Sequence, residues 1–386
     1  MKAETVNNQP FSIAPKPPVE VALHIGKMKG GGVEAIMLSY VQNIDRHLVH
    51  YTVLVDEDST IIPEEEFKVS GATLVIVPPY QKVFAYHKAL YKLFKNRKFS
   101  IVHTNINTLA VFPLFAAWRA GIPVRINHNH NTAGKGEWKR NLAKYMLRPF
   151  SKIFATELCA CSEYAGRWLF GDKANFTIMP NSIDYNRKKY MFDADARQCI
   201  RKQFGLDGAM VVGHVGRFIP QKNHSYLLKV FEQIKQLRNN AKLLLVGSGE
   251  GQNAIRQKAI AAGISDSIVL VGQREDVHKL YSAMDVLVFP SLYEGFGMVP
   301  QEAQYSGLPC IVSDCITREI VVCDQLVTFL PLEASTVEWA KTAIAQYDNA
   351  LFRRDTFEHI APERADKKLP ADKLGEWYVS LVKRAE

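Results

Sequence analysis

Short apolar, β-rich runs alternate with longer amphipathic segments along most of this chain. The first cycle places a strand-like run at 19–25 before helical spacing at 34–46, and the alternation recurs up to a strand-like run at 124–128. Strands that are buried on both faces read as near-continuous apolar runs, and the helices between them cover the two faces of a parallel sheet. The pattern therefore predicts a doubly wound α/β fold.

The alternation stops near residue 185 and then starts again. Strand-like runs recur at 210–215, 243–246, 268–271, 286–289 and 310–312. A chain of 386 residues is also too long for one ordinary core and suits two. We predict a loose tail over 1–18, one Rossmann-like domain over 19–185 and a second over 186–365. A closing amphipathic helix within 366–386 is expected to pack back on the first domain.

Composition excludes several other classes of protein. Apolar residues make up 47% and charged residues 23% of the chain, which is typical of a globular protein and not of a disordered one. The six cysteines lack the spacing of a zinc site, so we interpret them as buried thiols in a reducing cytoplasm. No apolar run approaches the ~20 residues that a spanning helix needs, and no export signal precedes residue 19.

The clearest candidate site follows the strand-like run 286–289 and reads SLYEGFGMVPQEA over residues 291–303. Its two glycines let a ligand approach the backbone closely, and Pro300 suits the first turn of a helix. Free amides at a helix start attract phosphate, whereas Glu294 and Glu302 would accept hydrogen bonds from sugar or ribose hydroxyls. An ordinary strand-to-helix turn with a capping glutamate is the alternative.

Two further glycine loops follow strand-like runs of the second half. The loop after 210–215 contains Arg217 and Lys222, which could both face a diphosphate; two solvated cations are the alternative. The loop VGSGEG, from Val246, resembles a dinucleotide loop but lacks the full GxGxxG form, so alone it is weak evidence.

The first half offers a glycine loop and two histidines at strand ends. The run GGGVE at 30–34 opens a helix and suits close approach to a phosphate or sugar, with a flexible turn as the alternative. His128 and His130 have no third metal ligand at sensible spacing, so a hydrogen bond to a substrate is the more plausible role. A structural histidine is the alternative for either one.

Taken together and in this order, these pieces resemble a retaining glycosyltransferase of family 4. The matching motifs are the GGVE loop, the histidine after a first-half strand, the PNSID turn at 180–184, the GR…K loop, the VGSGE loop and the glutamate pair. The likeness spans about residues 19–345, and the form RIxHxH is similar to bacterial capsular and exopolysaccharide transferases. It implies the GT-B fold, in which two Rossmann-like domains face each other across a cleft.

The resemblance also implies a role for each candidate residue. Arg217 and Lys222 would hold the donor diphosphate, Glu302 would bind the donor ribose, and Glu294 would contact the hydroxyls of the transferred sugar. His128 would contact the sugar at the reacting centre, with His130 as the alternative because the doubled histidine leaves the register open. Other donor-binding positions would be Gly31, Gly32, Gly216, Gly247, Gly295, Phe296, Gly297, Met298 and Val299.

The implied substrates are a UDP- or GDP-linked sugar and a polyprenyl-diphosphate-linked or oligosaccharide acceptor, as in surface polysaccharide biosynthesis. No cofactor or metal ion is expected, because fixed cations and helix amides can stabilise the leaving diphosphate. The strings DED at 56–58 and DAD at 193–195 resemble a metal motif. They lie in polar connections, so we interpret them as solvated acids.

Positive charge is concentrated in one stretch of the chain. The net charge is +9, whereas residues 81–152 alone contribute +13 through 14 Lys and Arg against one acid. Within 135–152 an amphipathic helix is predicted to lie on the inner face of a membrane, near a lipid-linked acceptor. The residues of this surface would be Trp138, Lys139, Arg140, Lys144 and Arg148. A helix packed by its apolar face, with its cations in water, is the alternative.

Other functions remain to be separated from this one. A nucleotide-sugar epimerase would share the architecture but convert the donor without an acceptor. A nucleic-acid-binding protein could use the basic stretch, yet the sequence lacks a zinc finger, an RNP-like aromatic motif and a recognition helix, so nucleic acid is not an expected partner. A catalytically inactive, membrane-bound scaffold with a transferase fold is the third alternative.

Overall fold

Two parallel sheets, each flanked by helices, form the frame of the molecule. The computed structural model describes residues 17–130, 138–179, 181, 187–349 and 370–386. Both sheets have the strand order of a doubly wound fold, in which the chain reverses its direction of travel beside the first strand. The predicted α/β architecture is confirmed.

The first sheet follows the order β3-β2-β1-β4-β5-β6-β7 and all of its pairs are parallel. Its strands are β1 (Val19–Gly26), β2 (Val49–Asp56), β3 (Thr73–Val77), β4 (Ile101–Thr104), β5 (Val124–Asn129), β6 (Glu157–Ala160) and β7 (Thr177–Ile178). Its helices are α1 (Gly32–Asn43), α2 (Glu64–Val69), α3 (Val83–Asn96), α4 (Val111–Ala120), α5 (Trp138–Leu147) and α6 (Glu163–Phe170).

The second sheet follows the order β10-β9-β8-β11-β12-β13 and is likewise parallel. Its strands are β8 (Met210–Val215), β9 (Ala241–Val246), β10 (Ile268–Gly272), β11 (Val286–Phe289), β12 (Cys310–Ser313) and β13 (Val327–Leu330). Its helices are α7 (Arg187–Tyr190), α8 (Ala194–Gln203), α9 (His224–Leu237), α10 (Gln252–Ala261), α11 (Val277–Ala283), α12 (Met298–Tyr305) and α13 (Thr336–Asp348).

The last helix, α14 (Pro370–Ala385), packs against the first sheet rather than the second. Its apolar side chains Leu374, Tyr378 and Leu381 are buried in the core that also contains Val21 and Val53 of β1 and β2. The helices α1 and α14 contact each other and share this core, so the last helix completes the core of the first domain.

The two domains touch through the segment that precedes α12. The backbone carbonyl of Gly295 accepts hydrogen bonds from Ser162 Oγ at 2.8 Å and from Cys161 Sγ at 3.4 Å. The backbone N–H of Glu163 donates to Glu319 at 3.0 Å. The amino terminus of α6 in the first domain therefore supports a loop at the carboxyl end of β11 in the second.

Several sequence-based expectations were wrong. The strands β6, β7 and β13 and the short helix α2 are not among the elements named above from the sequence. Cys199 and Cys315 are exposed, not buried. Asp56 was expected to be solvated, but it is 3% exposed at the end of β2.

Parts of the domain predictions lie outside the described residues, namely 1–16 of the tail, 131–137, 180 and 182–185 of the first domain, 186 and 350–365 of the second, and 366–369 of the closing segment. Within the described part, no helix combines the length and the apolar character needed to cross a bilayer.

Candidate functional site

Two loops at the carboxyl edge of the second sheet are tied to each other. After β8 the chain forms a 3-10 turn, Pro220–Lys222, and reaches Asn223 in the left-handed conformation with φ 54°. Gln221 Nε2 donates to the carbonyl of Tyr293 at 3.0 Å, and Asn223 Nδ2 donates to that of Pro290 at 3.2 Å. These side-chain amides hold the loop after β8 against the loop after β11.

The tie brings Lys222 and Glu294 together. Lys222 Nζ lies 2.6 Å from Glu294 Oε1, and the two side chains are only 14% and 10% exposed. The ammonium also lies 4.6 Å from the centroid of the Phe289 ring. A Cβ at position 216 would stand 3.1 Å from the Lys222 stem, so Gly216 leaves room for that stem to cross the backbone.

Glu302 projects from the second turn of α12 toward two tyrosines. Its Oε2 accepts a hydrogen bond from Tyr281 Oη at 2.6 Å, and Tyr190 is a second hydrogen-bond partner. Burial raises the pKa of Glu302 to about 7, although these hydrogen bonds and the nearby Lys189 and Lys222 oppose the shift. The carboxyl group therefore titrates near neutral pH.

The amino terminus of α12 lies beside this pair. Gly297 caps the helix with φ 100°, a left-handed conformation that favours glycine. Met298 and Val299 are half-buried in the first turn, whereas the Phe296 side chain is buried in the core. Since the helix has no acidic residue in its first turn, its free amides present partial positive charge to the cleft.

The glycine loop of the first domain faces α12 across the cleft. A Cβ at Gly32 would lie 3.7 Å from Met298 Cγ, and one at Gly30 would lie 3.9 Å from Gln273 Nε2. The amide of Gly31 is already engaged, because Glu34 Oε2 accepts hydrogen bonds from the N–H groups of residues 29, 30 and 31 at 2.8, 2.6 and 3.0 Å. The carboxylate of Glu34 therefore occupies the amides that the sequence assigned to a phosphate.

Two of the predicted residues have a different setting. Arg217 is exposed, and no partner for its guanidinium is found among the described residues. Gly247 has φ 137°, and a Cβ there would meet the carbonyl oxygen of Gly216 at 2.1 Å. Close packing between the loops after β8 and β9 therefore accounts for this glycine without a ligand.

His128 in β5 and His130 just after it lie on the same side of the first sheet but differ in depth. His128 is fully buried, and its Nδ1 lies 3.0 Å from Nε2 of His103, which also contacts Tyr378 of α14. His130 follows the last residue of the strand and is 5% exposed. Burial lowers the pKa of both rings, to about 4 for His130. Both are uncharged at neutral pH, and His130 is the nearer to the carboxyl edge.

Sequence reasoning missed several side chains of this region. Asn105 and Asn181 contact His130, Tyr281 contacts Glu302, and Glu34 caps the glycine loop. A capping signal for Glu34 was present, since a glutamate stands three residues after Gly31. For Asn105 the only signal was its place just after a strand.

The predicted basic surface is described in part. In α5 the side chains of Leu142, Tyr145 and Met146 are 56%, 52% and 66% exposed, so the alternative of a helix packed by its apolar face is wrong for these three. Lys144 is half-buried, and the Arg148 guanidinium lies 5.8 Å from the centroid of the Trp168 indole. The side chains of Trp138, Lys139 and Arg140 lie outside the described residues.

The aspartates of the two acidic strings have separate structural settings. Asp193 caps α8 by accepting a hydrogen bond from the N–H of Ala196 at 2.8 Å. Asp56 lies beside His24, with 3.9 Å between Oδ1 and Nε2. Across the described ranges, no three His, Cys, Asp or Glu side chains converge to hold a metal ion.

Both halves of the chain match family models of glycosyltransferases. The family model for Glycosyltransferase Family 4 matches residues 30–187, and the model for Glycosyl transferases group 1 matches residues 196–341. A Bacillus subtilis protein named as glycosyltransferase EpsF is 34% identical over 333 residues, which cover 83% of this chain and 86% of that protein.

A second relative is named for its reaction. The UDP-Gal:alpha-D-GlcNAc-diphosphoundecaprenol alpha-1,3-galactosyltransferase of Escherichia coli is 30% identical over 316 residues, which cover 76% of this chain and 79% of that enzyme. Among solved structures, Anabaena Alr3699/HepE in complex with UDP-glucose superposes with a TM-score of 0.77 over 95% of this chain and 99% of that one, at 17% identity. The latter likeness shows the fold, and it is the GT-B fold.

Removing Lys222 should destabilise the protein more than removing the whole pair. Lys222→Met leaves a buried carboxylate without its partner and is expected to lower the free energy of unfolding by about 3 kcal/mol. The double variant K222M/E294Q should recover at least half of that loss in urea unfolding.

Arg238→Ala is the matched control, since it breaks a well-exposed pair with Asp348 and should cost under about 1 kcal/mol. An equal loss in the single and the double variant would contradict the idea that the two charges depend on each other.

Proposed function

This chain belongs to the family 4 glycosyltransferases of the GT-B fold, and from that premise we propose that it transfers a sugar from a UDP-linked donor to a lipid-linked saccharide. The anomeric configuration is retained in the proposed reaction. The observation that supports it most is the placement of Lys222 and Glu294 beside the free amino terminus of α12, opposite the glycine loop of the first domain. Cations and helix amides stabilise a leaving diphosphate, whereas the carboxylates suit sugar hydroxyls.

In the proposed reaction the bond between the anomeric carbon and the diphosphate oxygen breaks, and its electron pair stays on that oxygen. Lys222 and the amides of α12 stabilise the negative charge that develops there. Arg217 is exposed and can move onto the diphosphate, where its planar guanidinium binds two oxygens at once. The acceptor hydroxyl attacks the same face of the sugar, and its proton passes to the leaving diphosphate oxygen.

Glu294 changes its partner when the donor arrives. In the free protein, Oε1 of Glu294 accepts a hydrogen bond from the ammonium group of Lys222. With a donor bound, Lys222 shares its protons between Glu294 and the diphosphate, and the carboxylate accepts from hydroxyls of the sugar. We assign the histidine that contacts the sugar to His130 and not His128, because His130 lies beyond the strand end and His128 is fully buried.

Two finer parts of the proposal concern the UDP moiety and the metal. The UDP donor is supported by the galactosyltransferase relative, which is named for UDP-Gal, and by the Anabaena complex with UDP-glucose. Glu302 binds the ribose hydroxyls. We propose that transfer proceeds without a metal ion, because Lys222, Arg217 and the helix amides can supply the positive charge that a metal would otherwise provide.

The proposed acceptor is a membrane-bound diphosphate lipid bearing a sugar, reached from the cytoplasmic face. It is supported by the relative that is named for a diphosphoundecaprenol substrate and by the exposed apolar side chains of α5 within the basic stretch. Apolar side chains ringed by cations suit an anionic membrane interface.

Product analysis tests the proposed reaction. Purified protein is incubated with UDP-glucose, UDP-galactose and their N-acetyl forms, with and without a sugar–diphosphate lipid, in buffer containing EDTA. We expect an α-linked product by NMR only when both substrates are present, and a loss of more than tenfold in Lys222→Met. A converted donor without acceptor would indicate an epimerase. A β-linked product would overturn the proposed retention of configuration. Activity only after a metal ion is added would overturn the proposed transfer without a metal ion.

Donor affinity should rise with pH through the titration of Glu302. Ribose hydroxyls donate to the ionised carboxylate, so binding favours the ionised form. A pKa of about 7 leaves Glu302 mostly protonated at pH 6 and mostly ionised at pH 8. Affinity for a UDP-sugar should increase about tenfold between pH 6 and pH 8 in calorimetry. The phosphates of a nucleotide sugar do not titrate in this range.

Glu302→Gln is the control for that measurement and should give a flat profile. The same ionisation acts on folding in the opposite direction. The folded protein binds the proton more tightly than the unfolded chain, so this group's contribution to stability is lost as pH rises through 7. A pH-dependent affinity that persists in Glu302→Gln would show that another group is responsible.

The membrane surface can be tested with vesicles. Replacing Leu142 and Met146 with Glu places two carboxylates on the exposed face of α5 and should weaken co-sedimentation with phosphatidylglycerol vesicles several-fold. Val69→Glu is a matched control, because Val69 is 75% exposed on α2, outside the basic stretch. Equal binding of all three proteins would contradict the proposed surface.

A further inference from the structure

His130 is held from two sides by asparagine amides. Its Nε2 lies 2.9 Å from Asn105 Oδ1, and its Nδ1 lies 3.1 Å from Asn181 Oδ1. All three residues are buried, with exposures of 5%, 7% and 3% in the order His130, Asn105, Asn181. Asn105 follows β4, and Asn181 lies in the segment that joins the two domains, so elements distant in the chain meet on this ring.

The orientation of Asn105 is settled by a third contact. Its Nδ2 donates to the backbone carbonyl of His24 at 3.3 Å, while its own N–H donates to the same oxygen at 3.0 Å. A carbonyl oxygen can only accept, so the amide nitrogen must face β1 and Oδ1 must face His130. His130 therefore carries a proton on Nε2.

The contact between Nδ1 of His130 and Oδ1 of Asn181 is then incompatible with a neutral ring. Burial lowers the pKa of His130 to about 4, so the ring is uncharged at neutral pH and has only one N–H. A neutral ring with its proton on Nε2 cannot also donate from Nδ1 to a carbonyl oxygen. Because the oxygen and nitrogen of an amide are assigned from the hydrogen-bond network, a neutral ring requires Asn181 to turn its NH₂ group toward Nδ1.

We propose that Asn105 and Asn181 are positioning residues that fix the orientation and tautomer of the buried His130 ring, with its single proton on Nε2 and a lone pair on Nδ1. The catalytic meaning of this inference rests on the proposed function, in which His130 contacts the transferred sugar. The anomeric carbon becomes positive in the transition state, and a neutral ring beside it avoids the repulsion that an imidazolium would cause.

The two contacts come from different parts of the fold. Asn181 belongs to the segment between the two domains, whereas Asn105 follows the carboxyl end of β4 in the first sheet. Because the Asn105 oxygen can only accept from the ring, it keeps the proton on Nε2.

No carboxylate competes for this ring among the described residues. The titratable groups that face His130 are the histidines His128 on β5 and His103 on β4, whose pKa values are lowered first by burial and then by the proximity of His130. Both are uncharged at neutral pH. The contact from the interdomain connection is the uncharged amide of Asn181.

Replacing Asn105 with a carboxylate tests the proposal through the pH profile. Asn105→Asp stabilises the imidazolium and should raise the pKa of His130 by up to about 3 units. With the donor saturating, kcat of Asn105→Asp should then fall up to about tenfold between pH 8 and pH 6. The wild type should change less than about twofold, because a pKa of about 4 lies well below this range.

Asn105→Ala and Asn127→Ala separate positioning from stability. Asn127 is buried on the opposite face of β5, where its Nδ2 donates to the carbonyl of Ser151 at 2.8 Å. Both variants remove a buried amide and should lower the melting temperature, but only Asn105→Ala should lower kcat. A kcat that falls equally in the two variants, or an Asn105→Asp profile as flat as the wild type, would overturn the positioning role.

Nitrogen-15 NMR of histidine-labelled protein tests the tautomer without any substrate, so it remains decisive even if no sugar transfer is found. The signals of His130, identified by their loss in His130→Gln, should show a protonated Nε2 and an unprotonated Nδ1 from pH 6 to pH 8. Two protonated nitrogens at pH 7, or a proton on Nδ1 alone, would overturn the proposal.

Discussion

The ion pair between Lys222 and Glu294 is the interaction on which the candidate site depends. Two opposite charges with little exposure to solvent are costly to bury, and each compensates the other only while the geometry holds. The side chains of Gln221 and Asn223, which tie the loops after β8 and β11, maintain that geometry. The pair holds a cation largely out of solvent, next to the amides of the α12 amino terminus, until an anionic ligand can share it.

The second constraint is that both domains position the same loop. Ser162 and Cys161 of the first domain hydrogen-bond the carbonyl of Gly295, and Met298 packs against the cores of both domains. A change in the angle between the domains would therefore be felt directly at the amino terminus of α12. This coupling gives a physical reason for a ligand and domain closure to favour each other.

Much of this could be predicted from the sequence, because the information was local. Strand ends in parallel sheets meet at one edge, so glycines and charges after 210–215 and 286–289 pointed to one site. Hydrogen bonds between side chains distant in the sequence, such as that between Asn105 and His130, could not be predicted. His128 and His130 could not be separated, because residues two apart share a face and differ only in depth. Asp56 was misjudged because its charge suggested solvent, whereas its position at the end of a buried strand decided its burial.

Calorimetric titration with UDP, which has no sugar, tests most directly whether Lys222 is held by Glu294 for a diphosphate. The account predicts that wild-type protein binds UDP, that Lys222→Met binds it at least about tenfold more weakly, and that Glu294→Gln binds it as tightly or more tightly. The last result follows because removing the carboxylate frees Lys222 and relieves its repulsion of the phosphates. Equal affinity of wild type and Lys222→Met for UDP, in protein shown to be folded, would contradict the account.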